Sequence, residues 1–376
     1  MFYVLLFGSM GAYLPFWPLW LEDWGLSKAE VGYFLSVAIV VRIAAGLGLP
    51  ILADRLDSRR NMVALLCCLG AVLFLSHLWI DSKLILLLAT AATGGVIAGV
   101  MPLGEALGMA ASRRHSFGYA PARAMGSLAF LIVAYLVGVL VVDFGINVVL
   151  YIIVACYFAA IFLGKTHPGG GFKGQARPGL RDLARMIGHP TFALFAIGMG
   201  CLQSSHAVYF AYASVHWRAL GLSEDQIGLL WSFAIFAEVA IMLGPGPALL
   251  RWTGIVGAIG ISCVISALRW AAMTADPTGL WLWLLQGTHA FTFGLGHLGA
   301  MAFIAAAIPE RANASAQGAY SGLAVGVFMT AGTVLSAQLF PTYEGLTYLV
   351  GTAIALMGAL SCLLLAKRWH GTALSV

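Results

Sequence analysis

Apolar residues run along this chain in long blocks, separated by short clusters of polar and charged residues. Twelve such blocks can be marked, at 2–21, 30–53, 61–80, 83–112, 120–142, 146–164, 191–217, 224–250, 252–274, 278–309, 313–340 and 344–366. About 20 apolar residues in a helix cross the ~30 Å hydrocarbon core of a bilayer. The pattern therefore predicts an all-α membrane protein with twelve transmembrane helices. Glycine and proline inside several blocks fit membrane helices, where neighbouring elements re-satisfy the backbone. The blocks 83–112 and 278–309 are long enough to tilt or to project from the bilayer. The first block has no basic leader and no small-residue cleavage pattern, and Pro15 and Pro18 interrupt it, so it reads as a retained span rather than a signal peptide.

One long break, 165–190, carries the run Gly169-Gly170-Gly171 and the cations Lys165, Lys173, Arg177, Arg181 and Arg185. It divides the chain into an N-terminal six-helix half (1–164), a cytoplasmic linker (165–190) and a C-terminal six-helix half (191–376). Leu180–Ile187 has the pattern of a short amphipathic helix at the membrane surface. The two halves are related. GLSKAEVGYFLSVAIVVR (25–42) returns as GLSEDQIGLLWSFAIFAE (221–238), at a constant offset of 196 residues. Gly25, Leu26, Ser27, Gly32, Ser36, Ala38 and Ile39 recur as Gly221, Leu222, Ser223, Gly228, Ser232, Ala234 and Ile235. Each copy ends on one charge, Arg42 in the first and Glu238 in the second. Two pseudo-symmetric parallel repeats are the layout of a secondary transporter whose site lies between them.

Composition agrees. The chain is 61% hydrophobic and 9% charged, with a mean hydropathy of +0.93, whereas soluble domains carry about 25% charged residues. The net charge of +5 is no nucleic-acid signal, because the basic residues sit in separate turns. With the linker inside, fourteen basic residues fall in inner segments against three (Lys28, Lys83 and Arg218) in outer loops. That bias puts both termini in the cytoplasm. The six cysteines all lie in apolar runs without a C-x-x-C pair, so neither a disulfide framework nor a zinc site is expected.

Charges inside the spans are then the candidate chemistry, since each costs ~2.5–3.5 kcal/mol at the bilayer centre even on the gentler scale. There are five: Arg42, Glu105, Arg123, Glu238 and Arg269. The bland alternative is ion pairs that merely hold helices together. Arg42 stands twelve residues from both Glu30 and Asp54, and Glu238 thirteen from both Asp225 and Arg251. Both are thus expected near the midplane. His206 and His289 also fall mid-span. A midplane guanidinium calls for an anion; a desolvated carboxylate is suited to taking up and releasing a proton. The simplest machine uses Arg42 or Arg123 for an anion and Glu238 for the proton. Tyr13, Trp17 and Trp231 are among the aromatic residues that suit an apolar body.

MGAYLPFWPLWLED (10–23) resembles the first helix of lactose permease, a proton-coupled sugar transporter of the major facilitator superfamily. A nearer resemblance is to the 3-phenylpropionate permease group of that superfamily. It is carried by LPFWPLWL (14–21), VVRIAAG (40–46), QSSHAVYFAYASVHW (203–217), IGLLWSFAIFAEV (227–239), LRWAAM (268–273) and HAFTFGLGHLGAM (289–301). The superfamily's G-x-x-x-D-R/K-x-G-x-R/K-R/K loop appears as PILADRLDSRR (50–60), with Pro50 and Asp57 in place of the glycines. The resemblance implies gating roles for Asp54, Arg55 and Arg59. It implies that Glu105 and Arg123 match a sugar-holding pair, and that Arg269 and His289 match a proton site. Thr292 stands where lactose permease has its proton-carrying glutamate, and Ile235 where it has another carboxylate. Glu238, one helical turn after Ile235, is then expected to take over that duty.

The reading is a proton-coupled importer of a small organic anion, an aromatic or apolar carboxylate such as a phenylpropionate-like acid, working by alternating access. The substrate-binding set is Arg42, Glu105, Arg123, Tyr13, Trp17, His206 and Trp231; the proton-coupling set is Glu238, Arg269 and His289. Alternatives are symport of a neutral sugar or nucleoside, proton-driven drug efflux, and a non-transporting sensor. No H-E-x-x-H motif or nucleophile–base pair argues for an enzyme. Expected partners are the substrate, a proton and the lipid bilayer, with no nucleic acid, no metal and no cofactor. A monomer is expected in a bacterial cytoplasmic (inner) membrane.

Overall fold

The computed structural model describes residues 1–115, 118–169, 186–309, 316 and 319–374. Among these the chain is helical throughout. The first unit holds α1 (Phe2–Asp23), α2 (Lys28–Arg55), α3 (Arg59–Ser76), α4 (Lys83–His115), α5 (Tyr119–Phe144) and α6 (Val148–Lys165). There follow α7 (Pro190–Ser204), α8 (Ala207–Ala219), α9 (Glu224–Leu243), α10 (Gly246–Thr253), α11 (Ile255–Met273) and α12 (Gly279–Gly287). Last come a π-helical turn at Ala290–Leu295, α13 (Gly296–Ala307), a second π segment at Tyr320–Val327, α14 (Phe328–Tyr343) and α15 (Tyr348–Arg368). Eleven helical stretches of the described residues are long and apolar enough to span a membrane. The last of them, Phe328–Arg368, is divided at Glu344, whose backbone φ is 42°, into α14 and α15. Counted separately, these give the twelve spans expected.

Several blocks are less regular than their hydropathy implied. The block 191–217 is broken at Ser205 and His206. The block 224–250 ends as a helix at Leu243, where Gly244 and Pro245 interrupt it, because proline has no N–H to continue the ladder. Glu238 therefore lies five residues before a helix end rather than mid-helix. Arg42 does sit at the centre of α2. Of the expected linker helix Leu180–Ile187, all but Met186 and Ile187 lie outside the described residues.

The internal repeat has a local physical meaning. Gly25 and Gly221 take left-handed φ values of 110° and 92°, ending one helix each, a conformation cheap only for glycine. Ser27 then caps α2, its backbone N–H donating to Glu30 at 2.9 Å while its hydroxyl accepts from the Glu30 N–H. Ser223 repeats half of this device, its N–H donating to the Gln226 side chain at 3.2 Å. Ser36 donates to the Gly32 carbonyl at 2.7 Å, and Ser232 donates to that of Gly228 at 2.9 Å.

The chain forms two compact units, Met1–Gln175 with Tyr212–Ser232, and Ala176–Ala211 with Phe233–Val376. The hairpin of α8 and α9 thus belongs, at its tip, to the first unit. Three glycines explain the fit. A Cβ on Gly11 would lie 2.6 Å from the Phe130 carbonyl oxygen, one on Gly228 2.4 Å from that of Ala134, and one on Gly138 2.4 Å from that of Glu224. Phe130, Ala134 and Gly138 lie four apart on α5, so a single helix face receives α1 on one side and the hairpin on the other. Ser232 adds a bond to the Leu131 carbonyl at 2.8 Å. Arg218 reaches Glu22 at 2.6 Å, Asp23 at 2.7 Å and Glu224 at 3.9 Å. In the second unit α11 packs on α15 and α13, and α7 on α15 and the second π segment. The core there centres on Phe192, Phe195, Met199, Phe303 and Ile304.

Gly228→Val should strike backbone that cannot move aside and release the hairpin, raising amide hydrogen exchange across Tyr212–Ser232. Arg218→Ala should do so more weakly, since its ion pairs are only partly buried. Unchanged exchange in the valine variant would mean that close packing of α9 on α5 does not hold the hairpin.

Candidate functional site

The first unit holds an aromatic wall beside Arg42. Tyr13 stacks on Trp17 with ring centroids 5.5 Å apart, and Trp17 on Trp20 at 5.1 Å. Phe74 meets Tyr13 and Trp17 edge-on and stacks on Tyr157. Tyr13, Trp17 and Phe74 are buried. The Arg42 guanidinium interacts electrostatically with the Tyr13 and Tyr157 phenols. It is half-buried, and among the described residues it makes no hydrogen bond or ion pair. Trp17 Nε1 is a buried donor without an acceptor among the described residues.

The second pair named from sequence is differently placed. Arg123 stands one turn into α5, and its Nε meets Glu105 Oε1 at 2.6 Å. Glu105 Oε2 also accepts from the hydroxyls of Tyr3, at 2.9 Å, and Tyr119. The Arg123 guanidinium lies 3.9 Å from the centre of the Phe7 ring. Both charges are thus satisfied by α1, α4 and α5 themselves. Tyr3 and Phe7 escaped the sequence reading because nothing in α1 signals which of its residues meet α4 and α5.

The second unit gathers the other candidates. Arg269, 1% exposed, sends Nη1 to His289 Nδ1 and to Thr292 Oγ1, both at 3.1 Å, and Nη2 to Gln286 Oε1 at 3.1 Å. Tyr209 donates to the same Gln286 oxygen at 3.0 Å. The guanidinium carbon stands 4.5 Å from the Trp270 ring centre and 5.0 Å from that of Tyr209. On the far side of His289, Nε2 is 3.6 Å from Glu238 Oε2. His206 Nε2 is 3.3 Å from Thr292 Oγ1. So His206, Glu238, Arg269 and His289 are brought together, around a cation whose direct partners are neutral. The π turn at Ala290–Leu295 carries Thr292 and follows directly on His289; such turns often mark functional positions. Gly294 lets α9 approach it, since a Cβ there would be 3.3 Å from Glu238 Cγ. Gln286 was missed, although its amide is the one polar group three residues before His289, in an otherwise apolar helix.

Trp231 is buried in the α8–α9 hairpin and donates to Ser214 Oγ at 2.9 Å. At the loop after α2, Asp54 and Arg59 form an ion pair at 2.5 Å, and Arg55 is exposed. Asp57, standing where the superfamily loop has a glycine, takes a left-handed φ of 46°, which aspartate tolerates better than most residues.

Helices of membrane-spanning length, internal repeats and clustered intramembrane charges define a multi-pass membrane transporter of the major facilitator type. The chain belongs to the MFS_1 like family, whose model matches residues 1–350. It is 30% identical over 346 residues to a probable 3-phenylpropionic acid transporter of Escherichia coli (strain K12), covering 90% of this chain and 89% of that one. It is 25% identical to a maltose permease of Geobacillus stearothermophilus, covering 98% and 94% respectively. Its fold matches the crystal structure of the nucleoside transporter NupG with a TM-score of 0.83, at 18% identity, covering 98% of each chain. The family and these relatives are transporters.

Gln286→Leu removes the acceptor of both Arg269 Nη2 and Tyr209. The expected cost is about 2–3 kcal/mol, read as a lower melting temperature of the detergent-solubilised protein. Gln286→Glu, which keeps the acceptor, should stay near the parent. Equal stability of all three would mean that Gln286 does not anchor Arg269.

Proposed function

We propose that the protein imports a small aromatic or apolar carboxylate together with a proton by alternating access. Arg42 binds the carboxylate and Glu238 carries the proton. The observation that carries the reading is Arg42 itself. It is a half-buried cation at the centre of a membrane helix, without a hydrogen-bonding or ionic partner among the described residues, beside the buried rings of Tyr13 and Trp17. A cation left in that position calls for an anionic ligand, and an aromatic wall suits a ring. The name of the E. coli relative points to the same class. Arg269 and His289 form the surroundings of Glu238. Asp54, Arg55 and Arg59 serve as an inner gate. The positive-inside bias supports cytoplasmic termini in a bacterial inner membrane, with the halves 1–164 and 191–376 as the moving bodies.

Transport of a neutral sugar is the second reading, favoured by the maltose permease relative. Against it, Glu105 and Arg123 are engaged by Tyr3, Tyr119 and each other.

In proteoliposomes with an inward proton gradient, 3-phenylpropionate should accumulate and 3-phenylpropionamide should fail to compete. Arg42→Ala should abolish both uptake and counterflow exchange. Glu238→Gln should lose uphill uptake yet retain exchange, because a permanently neutral carrier still permits substrate-loaded turnover. Accumulation by both variants at the parent level would sink the mechanism. Proton-linked uptake of maltose in place of the acid would favour the second reading.

A further inference from the structure

The directions of the hydrogen bonds around Arg269 can be worked out from chemistry alone. A guanidinium only donates and a peptide carbonyl only accepts. Arg269 Nη1 therefore donates to His289 Nδ1, at 3.1 Å, so that nitrogen is unprotonated and the ring proton sits on Nε2, facing Glu238 at 3.6 Å. His206 is the reverse. Its Nδ1 lies 3.0 Å from the Leu202 carbonyl and must carry the proton, which leaves Nε2 as an acceptor. Thr292 lies between. Its oxygen accepts from Arg269 at 3.1 Å, and its hydroxyl proton is left for His206 Nε2 at 3.3 Å. The two histidines are thus neutral and in opposite tautomers, and Thr292 is the group that joins the second of them to the cation. Thr292 is fully buried.

We infer that Thr292 is a positioning residue of the proton-coupling site: its hydroxyl holds Arg269 one histidine away from Glu238. This rests on the proton-coupling role proposed for Glu238. The physical reason lies in the acceptors available to Arg269. Gln286, His289 and Thr292 are all neutral, and Glu238 is the charged group beyond His289. With Thr292 in place, the guanidinium is spread over three fixed acceptors and two ring faces. Without its hydroxyl, one Nη1 bond is lost and His206 Nε2 has no donor. The carboxylate then becomes the best replacement acceptor. A direct Arg269–Glu238 ion pair would hold Glu238 charged and stop it from cycling its proton. Exchange of substrate, which needs no net proton movement, would be spared.

The test uses the full-length protein in proteoliposomes, with 3-phenylpropionate as probe. Thr292→Val keeps shape and removes the hydroxyl; Thr292→Ser keeps the hydroxyl. Accumulation by the valine variant should fall about tenfold or more, as for loss of one hydrogen bond to a charged group, with counterflow within about twofold of the parent. The serine variant should restore accumulation. His206→Gln combined with Thr292→Val should be no worse than Thr292→Val alone if the two act as one unit. An independent readout is the 15N spectrum of histidine-labelled protein. The His206 Nε2 resonance should move in the valine variant and stay in the serine variant. Parental accumulation by the valine variant, or equal loss in valine and serine variants, overturns the inference alone. A parent protein that exchanges the acid but never concentrates it against a proton gradient overturns the coupling role of Glu238, and this inference with it.

Discussion

Hydrocarbon gives a charged or polar group no water to fall back on, so each must find its partner within the protein. Arg269 shows how this acts in the second unit, where Nη1 and Nη2 are bonded although Nε has no partner among the described residues. Its guanidinium is enclosed, and its charge is met by an amide oxygen, an imidazole nitrogen, a hydroxyl and two aromatic faces. That requirement draws α8, α11, α12 and the π turn at Ala290–Leu295 onto one point. It also determines the tautomer of His289, while the Leu202 carbonyl determines that of His206. A carboxylate in the position of Thr292 would have met the cation directly. Because threonine stands there, Glu238 is reached through a histidine.

The first unit answers the same demand in two contrasting ways. Arg123 is neutralised by Glu105, whose remaining lone pairs are taken by two tyrosine hydroxyls, and its face is covered by Phe7. That arrangement is complete in itself. Arg42, at the centre of α2, is not supplied in this way: it interacts electrostatically with the Tyr13 and Tyr157 phenols and, among the described residues, makes no hydrogen bond or ion pair. A charge satisfied by its own helices reads as architecture, whereas one left for a ligand reads as a site. The difference between two arginines of one unit is what the proposed role of Arg42 rests on.

Backbone proximity is the other organising device. Gly11, Gly228 and Gly138 each allow a helix to lie against a neighbour's carbonyl oxygen. In this way the tip of the α8–α9 hairpin, continuous in sequence with the second unit, packs as part of the first. Its tip is also held by Arg218 on Glu22 and Asp23.

Much of this was legible in the sequence, because membrane proteins write their topology in composition. The length of each apolar block, the repeat from 25–42 to 221–238 and the few charges inside spans each follow from the cost of polar groups in hydrocarbon, which acts on every residue separately. Gly25, Ser27, Gly221 and Ser223 are readable for a similar reason, since turns and caps are local. The helix breaks at Ser205–His206 and Gly244–Pro245, and the π turn after His289, were not read, because hydropathy averages over them. The partners of each charge belong to the tertiary structure alone. That Glu105 is bonded by Tyr3, that Gln286 and Thr292 hold Arg269, and that Glu238 meets His289 depend on which faces of distant helices touch. Packing decides that through the shapes of many residues at once, and no single position records it.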